Sequence, residues 1–199
     1  MPTDPRGLPS VYQPRYTARK AWFKFLGAAF RLFGPDGILR FYVKQRAFRL
    51  REELTVYADE QQTRPMLRIR ARQVLDISAT YDVTDANTGE AAGALRRKGM
   101  RSILRDAWLV LGPGDTPVGV VQEDSKMMAL LRRFLSNLIP LRYTVTVDNK
   151  VVGHLSQRFN PFVLSYDVDF SGAQGALDPR LEVAITVLLL AVEGRQKEL

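Results

Sequence analysis

The sequence predicts a mainly β domain of α+β class, with short antiparallel strands wrapped around one buried helix near the C-terminus. Three observations carry this reading. From Val183 to Val192 the chain runs V-A-I-T-V-L-L-L-A-V, with Thr186 its lone polar residue. A helix that is apolar on every side must be buried on every side, and this run falls short of the roughly 20 residues a membrane span needs. Between Ile38 and Phe170, β-branched and aromatic residues come in short runs separated by Gly, Pro, Asn and Asp, the pattern of strands and turns. Within that region one hairpin pattern recurs, a sign of repeated units.

Taken in order, Met1 to Pro14 holds Pro2, Pro5, Pro9 and Pro14 with little hydrophobic pattern, and reads as a disordered lead. Arg15 to Phe33 reads as a basic amphipathic helix. Trp22, Leu26, Ala29, Phe30 and Phe33 fall on one face, Phe23 flanks them, and Arg19, Lys20, Lys24 and Arg31 supply charge with no acid between. Such a segment has the composition of an interfacial membrane anchor, with Arg19, Lys20, Trp22, Phe23, Lys24 and Phe30 at the interface. The other reading packs its aromatic face on the body of the same protein. Gly34-Pro35-Asp36-Gly37 ends the helix. The expected division is therefore a lead over 1–14, a helix over 15–36 and a folded domain over 37–199.

Strands follow at 41–45, 47–51 and 54–57. Leu67 to Arg72 alternates strictly, with Leu67, Ile69 and Ala71 inward and Arg68, Arg70 and Arg72 in a row outward, either a solvated strand face, the preferred reading, or part of an anion-binding surface. The repeat then begins. Tyr81-Asp-Val83, Trp108-Leu-Val110 and Tyr143-Thr-Val145 each lead through a turn to Gly93-Ala-Leu95, Gly119-Val-Val121 and Gly153-His-Leu155. Between the second and third units a helix is expected at Ser125–Leu138, capped by Asp124 or Ser125. Met127, Leu131, Phe134, Leu135 and Leu138 form its apolar face, Lys126, Arg132 and Arg133 its charge, and Pro140 its stop. Tyr166 to Phe170 gives a last alternating strand. The central helix is expected over 178–194, with Asp178 as its cap, Pro179 in its first turn, Gly194 at its end, and Arg195 and Lys197 beside its negative pole.

The totals narrow the function. The chain has 199 residues, 46% hydrophobic and 25% charged, with no cysteine, enough for one large globular domain. Without cysteine there is no disulfide scaffold, zinc-thiolate site, iron–sulfur cluster or cysteine nucleophile. The single histidine, His154, leaves little room for a His-based metal site or a Ser-His-Asp triad. No cofactor and no metal are expected. A net charge of +8 predicts attraction to polyanions, either nucleic acid or anionic lipid headgroups; a basic protein whose charge is incidental is the third reading. The first ten residues show no secretory signal, so a cytoplasmic protein is expected, at most peripheral at the inner membrane face.

The repeated hairpins Tyr81–Leu95, Trp108–Val121 and Tyr143–Leu155, the helix at Ser125–Leu138 and the helix at Asp178–Val192 together resemble the LURP-one-related family. That family is grouped with phospholipid scramblases and the tubby C-terminal domain. The resemblance covers about Ile38 to Val192 and implies a closed antiparallel β-barrel of 11–12 strands around the C-terminal helix. Closure is also physically sensible, because it removes strand edges. The resemblance implies phospholipid binding, through basic residues in tubby-type domains and with lipid translocation in scramblases. Two departures favour a family member that is not a true scramblase. Asp167 and Asp169 lack the dense oxygen ligands calcium wants, and there is no cysteine to palmitoylate.

Catalysis is not expected. Asp76, Asp82, Asp85, Asp106, Asp115, Glu123 and Asp124 are scattered through turn-rich sequence, where acids serve local hydrogen bonding. His154 has no partner in sequence. The densest positive stretch is Arg96 to Arg105, with Arg96, Arg97, Lys98, Arg101 and Arg105. Arginine forks match phosphate oxygens, so these five residues with Lys126, Arg132 and Arg133 are the candidate anion or lipid-headgroup site. The favoured function is a non-enzymatic, peripheral binder of anionic phospholipid. A nucleic-acid binder using the same charge, and a structural barrel holding an unidentified protein partner, are the alternatives.

Overall fold

The computed structural model describes residues 9–23, 27–45, 53–73, 79–98, 107–123, 140–158 and 163–193, backbone only at 22–23 and 192–193. Twelve strands form a closed barrel: β1 (Arg15–Phe23), β2 (Gly27–Phe33), β3 (Leu39–Gln45), β4 (Glu53–Tyr57), β5 (Pro65–Ala71), β6 (Thr80–Asp85), β7 (Ala91–Arg97), β8 (Ala107–Leu111), β9 (Pro117–Glu123), β10 (Arg142–Val147), β11 (Lys150–Arg158) and β12 (Leu164–Asp169). Each strand pairs antiparallel with its neighbours in the chain, and β1 pairs with β12 to close the ring. One helix, α1 (Pro179–Glu193), fills the interior.

The helix is built as its sequence demands. From Arg180 to Ala191 every residue is buried. Pro179 occupies the first turn, where no backbone donor is needed, and the Asp178 carboxylate accepts from the Arg180 N–H at 2.8 Å. Thr186, fully buried, donates its hydroxyl to the Glu182 carbonyl at 2.9 Å. The expected helix at Ser125–Leu138 and the expected strand at 47–51 lie outside the described residues, as do Gly194, Arg195 and Lys197.

The N-terminal helix expected over 15–36 is corrected: this stretch supplies β1 and β2. Tyr16, Ala18 and Lys20 face inward from β1, and Ala28, Phe30 and Leu32 from β2, a period of two that the helical reading of the same aromatics obscured. Gly34-Pro35-Asp36-Gly37 is the turn joining β2 to β3, with the Gly37 N–H donating to the Gly34 carbonyl. The folded domain therefore starts well before residue 37. Its order reaches back into the expected disordered lead, where Val11 and Tyr12 are buried and the Tyr12 ring lies 5.2 Å from that of Phe41.

The repeat proves to be a repeated bulge. In each unit the aromatic residue pairs across the hairpin with the aliphatic one: Tyr81 with Leu95, Trp108 with Val121, Tyr143 with Leu155. The valine pairs with the glycine: Val83 with Gly93, Val110 with Gly119, Val145 with Gly153. At or just beyond each Val–Gly pair the register slips by one residue, as a β-bulge requires. The slip leaves Val152 buried and Val151 about half exposed, so the simple alternation read for β11 breaks there. The glycines admit the next strand: a side chain at Gly93 would run into the Leu111 carbonyl oxygen, and one at Gly119 would sit 2.6 Å from that of Thr146. Gly93 also has φ of +140°, so Gly93→Ala should destabilise the barrel by about 2–4 kcal/mol, measured by denaturant unfolding.

Candidate functional site

Connections in an up-and-down antiparallel barrel alternate between its two ends. The Lys20 ammonium, near the end of β1, donates to the Leu190 carbonyl at 3.0 Å. The C-terminus of α1 therefore shares an end with the β1–β2, β3–β4, β5–β6, β7–β8, β9–β10 and β11–β12 connections. The N-terminus of α1 shares the other end with the remaining turns.

The two ends differ in chemistry. Connections at the first carry Lys24, Arg46, Arg49, Arg51, Lys98, Arg101, Arg105, Lys126, Arg132 and Arg133 against Glu52, Asp76, Asp106 and Asp124. Bulky apolar residues such as Phe25, Phe48, Met100 and Leu104 are interspersed among them. Turns at the second end carry Asp36, Asp59, Glu60, Glu90, Asp115, Asp148 and Asp178, and all but Asp148 are paired with an arginine: Asp36 with Arg40, Asp59 with Arg64, Glu60 with Arg31, Glu90 and Asp178 with Arg180, and Asp115 with Arg72. In sequence, then, the connections anchored at one end, here called the basic end, hold an excess of cations, while the carboxylates at the other end are largely paired with arginine.

Of the sequence-derived candidates, Arg96, Arg97 and Lys98 are described at this end, where β7 closes. Arg96 points outward from β7 and donates to the Thr80 hydroxyl at 3.1 Å. Arg97, half-buried, pairs in register with Trp108, and Lys98 follows, exposed. Arg101, Arg105, Lys126, Arg132, Arg133 and Lys24 lie outside the described residues, in segments that leave and re-enter strands at this end. Trp22 and Phe23 close β1 there. Two candidates are corrected, since Lys20 and Phe30 face the interior. Lys20 is 1% exposed, its ammonium 5.2 Å from the centre of the Phe30 ring, and a cation bonded to the last carbonyls of a helix meets a favourable pole. Arg19 is exposed on the outer wall, its guanidinium 5.3 Å from the ring of Phe33.

Elsewhere on the outer wall, arginines are matched to carboxylates. Arg31 holds Glu60 at 2.6 Å, Arg158 holds Asp167 at 2.5 Å, Arg15 holds Asp169 at 3.0 Å, and Arg72 bridges Asp82 and Asp115. Hydrogen bonds from these guanidinium groups hold the Glu60 and Asp115 carboxyls below the usual carboxylate range. Asp167 and Asp169 are thereby each bound to an arginine. His154 stands exposed opposite Asp169. Among the described residues no three of His, Cys, Asp and Glu group as metal ligands.

No helix among the described residues is long and apolar enough to cross a membrane. The wall itself is charged outside and apolar inside, the reverse of a membrane-spanning barrel. A family model described as LURP-one-related matches residues 39–190. No curated protein matches the chain.

Proposed function

Because the chain belongs to the LURP-one-related family, whose barrel it shows, we propose that it is a non-enzymatic barrel whose basic end rests on an anionic phospholipid surface. What supports this reading is the sequence of the connections anchored at the basic end, where Lys and Arg outnumber Asp and Glu. Basic residues interleaved with large apolar ones suit the boundary between headgroups and acyl chains, and each cation near an anionic surface contributes about 1 kcal/mol. The location that follows is peripheral, at a cytoplasmic membrane face. The nucleic-acid reading has less support: stacking proteins present aromatic platforms, and no aromatic side chain among those described is exposed.

The test is sedimentation with vesicles of phosphatidylcholine alone or with phosphatidylserine. Wild type should sediment with the anionic vesicles alone. Arg96→Glu combined with Lys98→Glu should weaken binding about tenfold or more, while reversing Lys150, at the opposite end, should leave it unchanged. Equal losses from both reversals would show a net-charge effect and defeat the reading.

A further inference from the structure

We propose that residues 9–14 form a releasable plug over the end of the barrel where α1 begins, a strap that opens while all twelve strands stay paired. This does not depend on what the basic end binds. β1 starts at Arg15, so the strap leads into the first strand and lifts away without unpairing it. Its Val11 and Tyr12 side chains are buried in the core. Tyr12 lies at the mouth: its ring is 5.2 Å from that of Phe41 in β3. Its phenol feels the charges of Asp85 at the end of β6 and of Asp178 and Arg180 beside the first turn of α1.

The strap is pinned at its base. The Pro14 carbonyl accepts from the Phe170 N–H at 2.7 Å, and the Gln13 N–H donates to the Tyr16 hydroxyl at 2.6 Å. Before Gln13 the hold changes. The Tyr12 N–H is spent within the strap, on the Pro9 carbonyl at 3.1 Å, which closes a turn. Pro9 makes an isolated bridge, and its own nitrogen has no hydrogen to give. The strap is therefore seated chiefly by two side chains, and one of them fits imperfectly. The Tyr12 hydroxyl is enclosed and makes no hydrogen bond. Burial, and next the charge of Asp85, push its pKa up, so it remains a protonated donor without an acceptor. Closing the strap thus carries the desolvation cost of that hydroxyl, which opening relieves by returning it to water. Phenylalanine would fill the same space without the cost. The tyrosine brings the closed and open states closer in free energy, and the open state bares the face of Phe41 that Tyr12 covers.

The chain has no cysteine, so a single introduced thiol reports opening without background. Val11→Cys places it in the strap and Val187→Cys in the middle of α1, both buried positions of similar volume. With iodoacetamide under native conditions, Val11→Cys should be alkylated about tenfold or more faster than Val187→Cys, with little response to low urea, because local opening is easier than global unfolding. Adding Tyr12→Phe should slow alkylation at residue 11 by about fivefold or more. Hydrogen exchange at the Gln13 amide of the cysteine-free chain gives the same readout if Val11→Cys fails to fold, and should slow by a similar factor in Tyr12→Phe alone. Equal alkylation at both positions with the same urea dependence would overturn the proposal, since the strap would then open only with the whole barrel. So would a Tyr12→Phe change that leaves the strap's opening unaltered or hastens it, because the hydroxyl would then be satisfied in the closed state.

Discussion

Deleting residues 1–33 should abolish cooperative unfolding. The deletion removes β1 and β2, so β3 and β12 become open edges with unpaired backbone groups, a state that invites aggregation. It also removes the inward residues Tyr16, Ala18, Phe30 and Leu32, all buried against the core, and the Lys20 contact that ends α1 on the Leu190 carbonyl. Thermal melting by circular dichroism should show a broad, non-cooperative loss of signal from a largely aggregated sample. A sharp transition with native near-ultraviolet dichroism would mean that the segment is an appendage after all. The same result bears on function, because a shortened chain that fails to bind vesicles reports a lost fold and says nothing about where lipid binds.

Leu188→Ala should destabilise the protein by about 2–5 kcal/mol. Leu188 is 1% exposed in the middle of α1, and a helix enclosed by a closed ring of strands has little room to shift into the void, which puts the expected value toward the upper part of that range. Val151→Ala, on the outer wall beyond the β11 bulge, should change stability by less than about 0.5 kcal/mol. Urea unfolding of both variants measures the contrast. A small effect at Leu188 would mean that the helix is held loosely.

What the sequence revealed follows from how local each signal is. α1 was legible because a run apolar on every side has few destinations, and because Asp178 and Pro179 mark its start within two residues. The repeated hairpins were legible because aromatic, valine and glycine recur in order, although only the pairing shows that valine faces glycine at a bulge. β1 and β2 were misread because Ala-rich aromatic sequence satisfies a helical period as readily as a strand one. Lys20, an inward cation toward the end of β1, breaks the alternation that would have identified the strand. Its burial depends on the Leu190 carbonyl, about 170 residues away in sequence, and nothing local announces that contact.

The candidate site was legible in part. The density of charge at Arg96–Lys98 was plain, but its meaning was not, since the basic segments are far apart in the chain. Only when the strands are counted do the connections that hold them prove to be anchored at the same end of the barrel. Arg72, read as part of a solvated row, has its carboxylate partners Asp82 and Asp115 on other elements, and no spacing rule reaches them.

The most direct test of the membrane orientation uses the two tryptophans of the chain. Trp108 is buried within the barrel, and Trp22 lies near the end of β1 where the basic connections gather. In Trp108→Phe, checked for a wild-type melting curve, the remaining fluorescence comes from Trp22 and can be followed with anionic vesicles whose acyl chains carry bromine. Quenching that appears on binding and vanishes at high salt is the predicted result. Binding of the same variant with Trp22 unquenched would contradict the account, because the membrane would then be touching another face of the barrel.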